Sequence, residues 1–136
     1  MKKLGRIAAL ASVLVSCSLT SVAAGATEAT AASCYSSYNI NYLGAKAGQL
    51  DWNADPSSCY ANGDAFRVCD TAADTWGVFV STNDAGIRYA TTQGHSSPYC
   101  SPWVTGNITE GKKITFSAYV VKGSDEVYIG DLTVTA

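Results

Sequence analysis

Histidine and helical patterns are what this 136-residue chain lacks most. His95 is the only histidine. A zinc site needs several histidine or cysteine ligands, and one imidazole does not suffice when the cysteines are oxidised. A catalytic triad needs an acid that orients the histidine beside a nucleophile, and the sequence identifies no such acid. The G-x-S-x-G turn of α/β-hydrolases is absent as well. We therefore expect a protein that is not an enzyme, with no catalytic residue, no metal site and no cofactor; the alternative is a small secreted hydrolase.

No window carries apolar residues at positions i, i+3, i+4 and i+7, so a long helix is not expected. Apolar residues instead alternate with polar ones, as in β-strands. The alternating runs are residues 38–42, 66–68, 76–80, 87–89 and 114–121. We predict an all-β domain, a small antiparallel β-sandwich with an immunoglobulin-like Greek key of about seven strands. Trp76 and Phe116 are expected to fill its core.

Turn chemistry separates these runs. Residues 83–86 and 123–125 both suit short hairpins, because each contains a glycine that can take a positive φ. In the last strand, apolar residues occupy odd-numbered positions up to Ile129 and even-numbered positions from Leu132, so the alternation shifts by one residue around Gly130-Asp131, between Val127 and Leu132. This slip predicts a β-bulge, which would return both phases to one face. The alternative is that the strand ends at Ile129.

The N-terminus is typical of a secretory signal. A basic start, an apolar middle and the small-residue exit at Ala24-Gly25-Ala26 predict a signal peptide over residues 1–26, with cleavage as late as residue 32. A flexible segment, 27–33, and a sandwich domain, 34–136, would follow. We expect a secreted, extracellular protein without a membrane span. The alternative is a lipoprotein anchored through Cys17, because residues 14–17 resemble a lipobox.

Positive charge is scarce in the expected mature form. Loss of Lys2, Lys3 and Arg6 leaves six basic residues against ten or eleven acidic ones. An acidic surface is a poor partner for nucleic acid or anionic membranes.

The remaining chain of roughly 105 to 110 residues is one domain by length, and we expect a monomer. Its partner is expected to be an extracellular protein or a glycan.

The cysteine count indicates two disulfides. Cys17 belongs to the signal, and an even set of four cysteines remains: Cys34, Cys59, Cys69 and Cys100. Three pairings are possible. We favour Cys34–Cys59, which would pin the irregular segment 44–63, together with Cys69–Cys100. Each bond closes roughly 25 to 30 residues and would stabilise the fold by about 3–4 kcal/mol. Within 44–63, only residues 50–52 suggest a short strand.

One acidic run resembles the start of a calcium-binding loop. Asp51, Asn53 and Asp55 alternate like the start of a calcium loop. The pattern then fails, because Pro56 stands where the loop needs glycine and Asn62 where it needs glutamate. We expect no metal there.

Aromatic residues offer the best indication of a surface for binding, since the chain has eight tyrosines and three tryptophans. The segment 93–106 is stiffened by two Ser-Pro pairs and anchored by Cys100, so His95, Tyr99 and Trp103 are our candidate binding residues. We predict a non-catalytic binding module. One alternative is an inhibitor of an extracellular hydrolase, with the Tyr99–Trp103 loop in the target's cleft. The other is a carbohydrate-binding module, which an aromatic row on a flat sheet face would favour.

The run Phe66-Arg67-Val68-Cys69-Asp70-Thr71-Ala72-Ala73-Asp74-Thr75-Trp76-Gly77-Val78 resembles one in small secreted actinobacterial proteins. The resemblance covers about residues 63–106. It implies a compact secreted β-domain with a Cys69–Cys100 bond, and no particular activity. Members of that group often carry further cysteines in the last two strands, where this chain has Ala118 and Gly130, so no third bridge is expected.

Overall fold

The computed structural model describes residues 34–56, 62–84 and 86–136, and within these ranges every regular element is a β-strand. None of the described residues forms a helix that could cross a membrane. The strands are β1 (Ser36–Tyr42), β2 (Ala45–Asn53), β3 (Ala65–Asp70), β4 (Gly77–Thr82), β5 (Arg88–Thr91), β6 (Tyr99–Cys100), β7 (Lys113–Lys122) and β8 (Asp125–Thr135). They form two antiparallel sheets of four strands. The first sheet has the order β1-β2-β3-β6 and the second the order β5-β4-β7-β8.

The two sheets share one apolar core in a sandwich-like arrangement. Phe66 of the first sheet packs on Phe116 of the second with ring centroids 4.7 Å apart, and Trp52 lies 5.8 Å from Phe116. The Trp52 indole N–H also donates a 2.9 Å hydrogen bond to the carbonyl of Thr135, which joins the sheets at their rim. The all-β prediction is confirmed. The immunoglobulin-like Greek key and the count of seven strands are not confirmed by this strand order.

The large core rings differ from those expected. Phe116 is fully buried as predicted, but its aromatic partners are Trp52 and Phe66. Trp76 is only partly buried and lies against Tyr42, 5.6 Å between ring centroids. Trp76 precedes β4 and packs against the edge of the core without being buried in it, so it fills the core less than expected.

The alternation of buried and exposed residues that the sequence predicts for β7 is confirmed. Ile114, Phe116, Ala118 and Val120 are buried on one face, while the residues between them face outward. β7 is paired with β4 on one side and β8 on the other, so it forms the centre of the second sheet.

Both expected hairpins are present. β4 and β5 are joined across residues 83–87, where Gly86 has a φ of +94°, and β7 turns into β8 at Gly123 with a φ of +59°. The bulge is confirmed as well. Ala118 pairs with Gly130 but Tyr119 pairs with Tyr128, so Ile129 is the extra residue. As a result Val127 and Leu132 lie on the same face of β8, opposite core residues of β7.

The segment 44–63 is more regular than expected, because it contains the nine-residue strand β2. Its pattern is obscured at two positions. Asp51 points away from the core and is nonetheless fully buried. Gly48 faces the core where a Cβ would collide with the Cys69 carbonyl and lie 2.9 Å from the Val78 side chain.

The burial around β5 is the reverse of what hydrophobicity suggests. Arg88 and Ala90 are buried, whereas the larger apolar residues Ile87 and Tyr89 are 82% and 60% exposed. The Arg88 guanidinium lies 5.5 Å from the centroid of the Phe66 ring and donates a 3.0 Å hydrogen bond to the Asp64 carbonyl. Burial lowers the pKa of Arg88, the charge of Asp64 acting in the opposite direction.

The Cys69–Cys100 disulfide is confirmed, and it joins two residues that are directly paired across β3 and β6. Cys34 is also disulfide-bonded. The predicted partner Cys59 lies outside the described residues, as do Cys17, the signal peptide 1–26 and the segment 27–33. These assignments stay predictions.

Candidate functional site

Four aromatic rings cross the outer face of the second sheet, one on each strand. We call this set the aromatic row: Tyr89 of β5, Phe79 of β4, Tyr119 of β7 and Tyr128 of β8. Neighbouring ring centroids are 5.8, 5.7 and 5.4 Å apart. The row therefore spans the whole sheet, roughly 14 Å for three inter-strand spacings. Its two end rings are 60% and 55% exposed.

A line of polar side chains runs beside the aromatic row. Ser81 pairs with Ser117 across β4 and β7, and Ser117 pairs with Asp131 of β8. The Ser117 hydroxyl donates a 2.9 Å hydrogen bond to Asp131. Tyr128 also donates its hydroxyl to Asp131, which raises the pKa of the phenol. Apolar ring surface and hydrogen-bonding groups thus lie side by side on one face.

The polar line opens into a shallow depression of about 270 Å³. Ser81 and Ser117 line it together with Thr82, Asn83, Asp84 and Thr115. Lys112 lies 2.9 Å from the Asp84 carboxylate, and this hydrogen bond is the main reason why the pKa of Asp84 is lowered. The depression is therefore lined by hydroxyl groups, an amide and a carboxylate that is already paired.

The candidate residues His95 and Tyr99 come together. Their rings are stacked, with centroids 3.7 Å apart and planes 9° from parallel. His95 lines a cavity of about 300 Å³ whose wall also includes Asp70, Trp76, Gln93 and Lys122. We call this cavity the His95 pocket. Three separate segments build it: the loop after β3, the turn after β5 and the β7–β8 hairpin.

Asp70 is the acid of the His95 pocket. Burial raises the pKa of its carboxyl, and the charge of Asp74 adds to the effect, while the backbone N–H of Ala72 acts in the opposite direction. That N–H lies 2.9 Å from Oδ1. The pocket thus holds a histidine and a carboxyl group, and the hydroxyl-bearing residues Ser96 and Ser97 also line it.

Trp103, the third candidate residue, lies away from the other two. Its ring covers the Arg67 guanidinium at 4.7 Å, and Tyr35 covers the same group at 5.2 Å. Arg67 lies 2.9 Å from Asp51, whose side chain has no exposed surface. Trp103 is thus engaged in a structural cluster on the outer face of the first sheet.

The segment after Tyr99 follows the sheet edge. The Ser101 N–H donates to the Val68 carbonyl at 2.8 Å, and Val104 exchanges hydrogen bonds with Phe66 at 2.7 and 2.9 Å. These bonds hold the chain from Cys100 to Val104 against β3. A loop inserted into an enzyme cleft would instead project from the surface.

The acidic run considered for calcium is part of a strand at its start. Asp51 and Asn53 belong to β2 and are both buried. Ser37 and Gln49 donate to one Asp51 oxygen at 2.6 and 2.8 Å, and Arg67 binds the other. In the described ranges, no group of three or more potential ligands is placed to hold a metal ion.

The aromatic row was missed from the sequence, although a signal for it exists. Phe79 and Tyr119 occupy the outward phase of their strands, opposite the core residues Val80 and Val120. Two aromatics in the solvent phase are unusual enough to mark a surface. What could not be read is that β4 and β7 are neighbours, because 30 residues of other structure separate them in the chain.

No protein-family model, no curated protein and no solved structure matches this chain. The resemblance of residues 63–106 to small secreted actinobacterial domains stays a prediction.

Proposed function

We propose that this protein is an extracellular, non-catalytic carbohydrate-binding module that holds a polysaccharide chain on the aromatic row. The observation that carries the proposal is the row itself, four rings at steps of 5.4 to 5.8 Å across the outer face of the second sheet. Exposing such a patch to water is unfavourable, so a soluble domain that retains one commonly uses it for binding.

The chemistry of the face fits sugar better than a protein partner. A pyranose ring presents apolar C–H groups on its faces and hydroxyl groups around its edge. The exposed rings of Tyr89 and Tyr128 can stack on the former, while Ser117 and Asp131 can bond the latter. The core of a typical protein interface is instead depleted of charged groups such as Asp131.

Other features agree with an extracellular role. The protein has a Cys69–Cys100 disulfide. Disulfides persist in oxidising compartments and are rare in reducing ones. The edge-bound course of residues 100–104 gives no support to the inhibitor alternative, so we do not propose it.

The experiment is a pull-down of the purified protein on insoluble polysaccharides, namely cellulose, chitin, xylan and purified cell-wall sacculi, followed by titration with soluble fragments of whichever binds. We expect Tyr89→Ala and Tyr128→Ala each to weaken binding about tenfold, equivalent to about 1.4 kcal/mol. The matched control is Leu43→Ala, because Leu43 is 87% exposed but lies in the β1–β2 turn of the first sheet. That variant should bind like the wild type.

The proposal fails if none of the four polysaccharides retains the protein. It also fails if Tyr128→Ala binds unchanged. Sedimentation of the wild type as a dimer that Tyr128→Ala converts to monomer would assign the aromatic row to self-association instead.

A further inference from the structure

We propose that the His95 pocket is a second and separate binding site, one that takes a single neutral sugar ring such as the end of a glycan chain. The site goes beyond the proposed function, because it does not include any member of the aromatic row. Its volume of about 300 Å³ is at the lower end of the range for small-molecule pockets, which suits one compact ring.

The first argument is the position of Trp76. This indole is only partly buried: it packs against the edge of the core and also lines the pocket. Tyr42 lies against it at 5.6 Å, and the Lys122 ammonium lies 5.8 Å from its centroid. An indole fixed by two contacts at the wall of a cavity is a rigid apolar surface against which a sugar can pack.

The second argument is the backbone that precedes Trp76. Thr75 has a φ of +70°, a left-handed conformation that is a true outlier for a β-branched residue. Strain of this kind costs about 1–3 kcal/mol and persists where the surrounding structure enforces it, often at ligand sites. Here Asp74 accepts the Trp76 N–H at 3.0 Å, so the residues on either side of Thr75 are tied together and the indole is fixed at the wall.

The third argument is the set of polar groups around the wall. Asp70, Gln93, His95 and Lys122 supply an acid, an amide, an imidazole and an ammonium group from three segments of the chain. The carboxyl group of Asp70 lies in the same wall as the ammonium group of Lys122, so the pocket has no excess of one charge that would favour a strongly charged ligand. Amide, imidazole and carboxyl groups together offer the donors and acceptors that ring hydroxyls need.

The test uses nuclear magnetic resonance, because His95 is the only histidine and its ring protons give unique signals. The protein without its predicted signal peptide is titrated with methyl glycosides of glucose, galactose, mannose and N-acetylglucosamine. We expect at least one to shift the His95 signals in a saturable way. Trp76→Ala should weaken that binding at least tenfold, whereas Trp103→Ala, a tryptophan on the first sheet, should not change it.

Two further variants keep the test decisive. If Trp76→Ala fails to fold, Gln93→Ala takes its place, because Gln93 is exposed and should reduce the affinity severalfold without disturbing the core. Tyr128→Ala alters the aromatic row alone and should leave the His95 titration unchanged. The inference is overturned if none of the four glycosides shifts His95, or if Trp76→Ala and Gln93→Ala both bind like the wild type. Either result leaves polysaccharide binding at the aromatic row untouched.

Discussion

Phe79 of β4 and Tyr119 of β7 are directly paired across the second sheet, with ring centroids 5.7 Å apart on its solvent side. Cross-strand aromatic pairs stabilise a sheet by about 0.2–1 kcal/mol. The same two rings form the middle of the proposed binding surface. Stability and binding therefore depend on one pair, and a substitution there should change both.

We predict that Tyr119→Thr lowers the free energy of unfolding by about 1 kcal/mol and weakens polysaccharide binding about tenfold. Threonine keeps the strand propensity but removes the ring and its contacts with Phe79 and Tyr128. Urea denaturation and the polysaccharide titration measure the two effects. Lys113→Thr, in the same outward phase of β7 but outside the depression, is the control. Unchanged affinity in Tyr119→Thr would contradict the role given to the middle of the row.

We predict that the double variant Cys69→Ala/Cys100→Ala loses about 3–4 kcal/mol of stability, because the bond closes a loop between residues 31 positions apart. β6 has only two residues, so few ladder hydrogen bonds would hold this edge without the cross-link. Urea denaturation of the variant, beside the wild type with and without reductant, gives the value. A loss below about 1 kcal/mol would show that the main-chain bonds of residues 101–104 suffice.

We predict that Arg67→Met destabilises the fold by about 3 kcal/mol, because it leaves the buried Asp51 carboxylate without its cation. Arg67→Lys should cost less, about 1 kcal/mol, since it keeps the charge but loses the planar group between Tyr35 and Trp103. Thermal and urea unfolding compare the two variants. Equal losses in both would indicate that stacking, and not the charge pair, accounts for the contribution of Arg67.

We predict that Asp70→Asn stabilises the protein at pH 7. Burial raises the pKa of Asp70 above its ordinary value of 3.8, so the folded state binds its proton more tightly than the unfolded state does. Stability from this group is therefore present at acidic pH and is lost as the pH rises through the folded pKa. The asparagine keeps the oxygen that accepts the Ala72 N–H and avoids the buried charge.

The measurement for Asp70→Asn is the urea midpoint of variant and wild type from pH 7 to below 3.8. The advantage of the variant should shrink as the pH falls. Asp125→Asn is the control, since Asp125 is exposed at the start of β8. A variant that is less stable than the wild type at pH 7 would show that the ionised Asp70 is favoured by its surroundings.

Local patterns were sufficient for much of the fold. β7, both hairpin turns and the bulge in β8 each follow from alternation or from a glycine within a few residues. The pattern failed in β2, where Gly48 makes room for Val78 and Asp51 is buried beneath Arg67 on the outer face. It failed again in β5, where Arg88 takes the inward position. In each case a contact distant in the chain decides the burial, and alternation alone cannot report it.

The candidate site was harder to predict than the fold. His95 and Tyr99 do lie together, as two residues four positions apart in the chain can. Trp103 belongs to the Arg67 cluster, which depends on the pairing of β2 with β3. The aromatic row needs the order β5-β4-β7-β8, and the His95 pocket needs three segments to meet. Such arrangements are set by topology, which the alternation of single strands leaves open.

The bulge at Ile129 also bears on how copies of this domain coexist at high density. β8 is a sheet edge of eleven residues, long enough to recruit a strand from a neighbouring molecule. The extra residue interrupts the regular spacing of its free amide and carbonyl groups, and Asp125, Glu126 and Asp131 add negative charge along it. At high local concentration, these molecules would repel each other along the β8 edge. They would remain separate folded domains and would not pair edge to edge into fibrils.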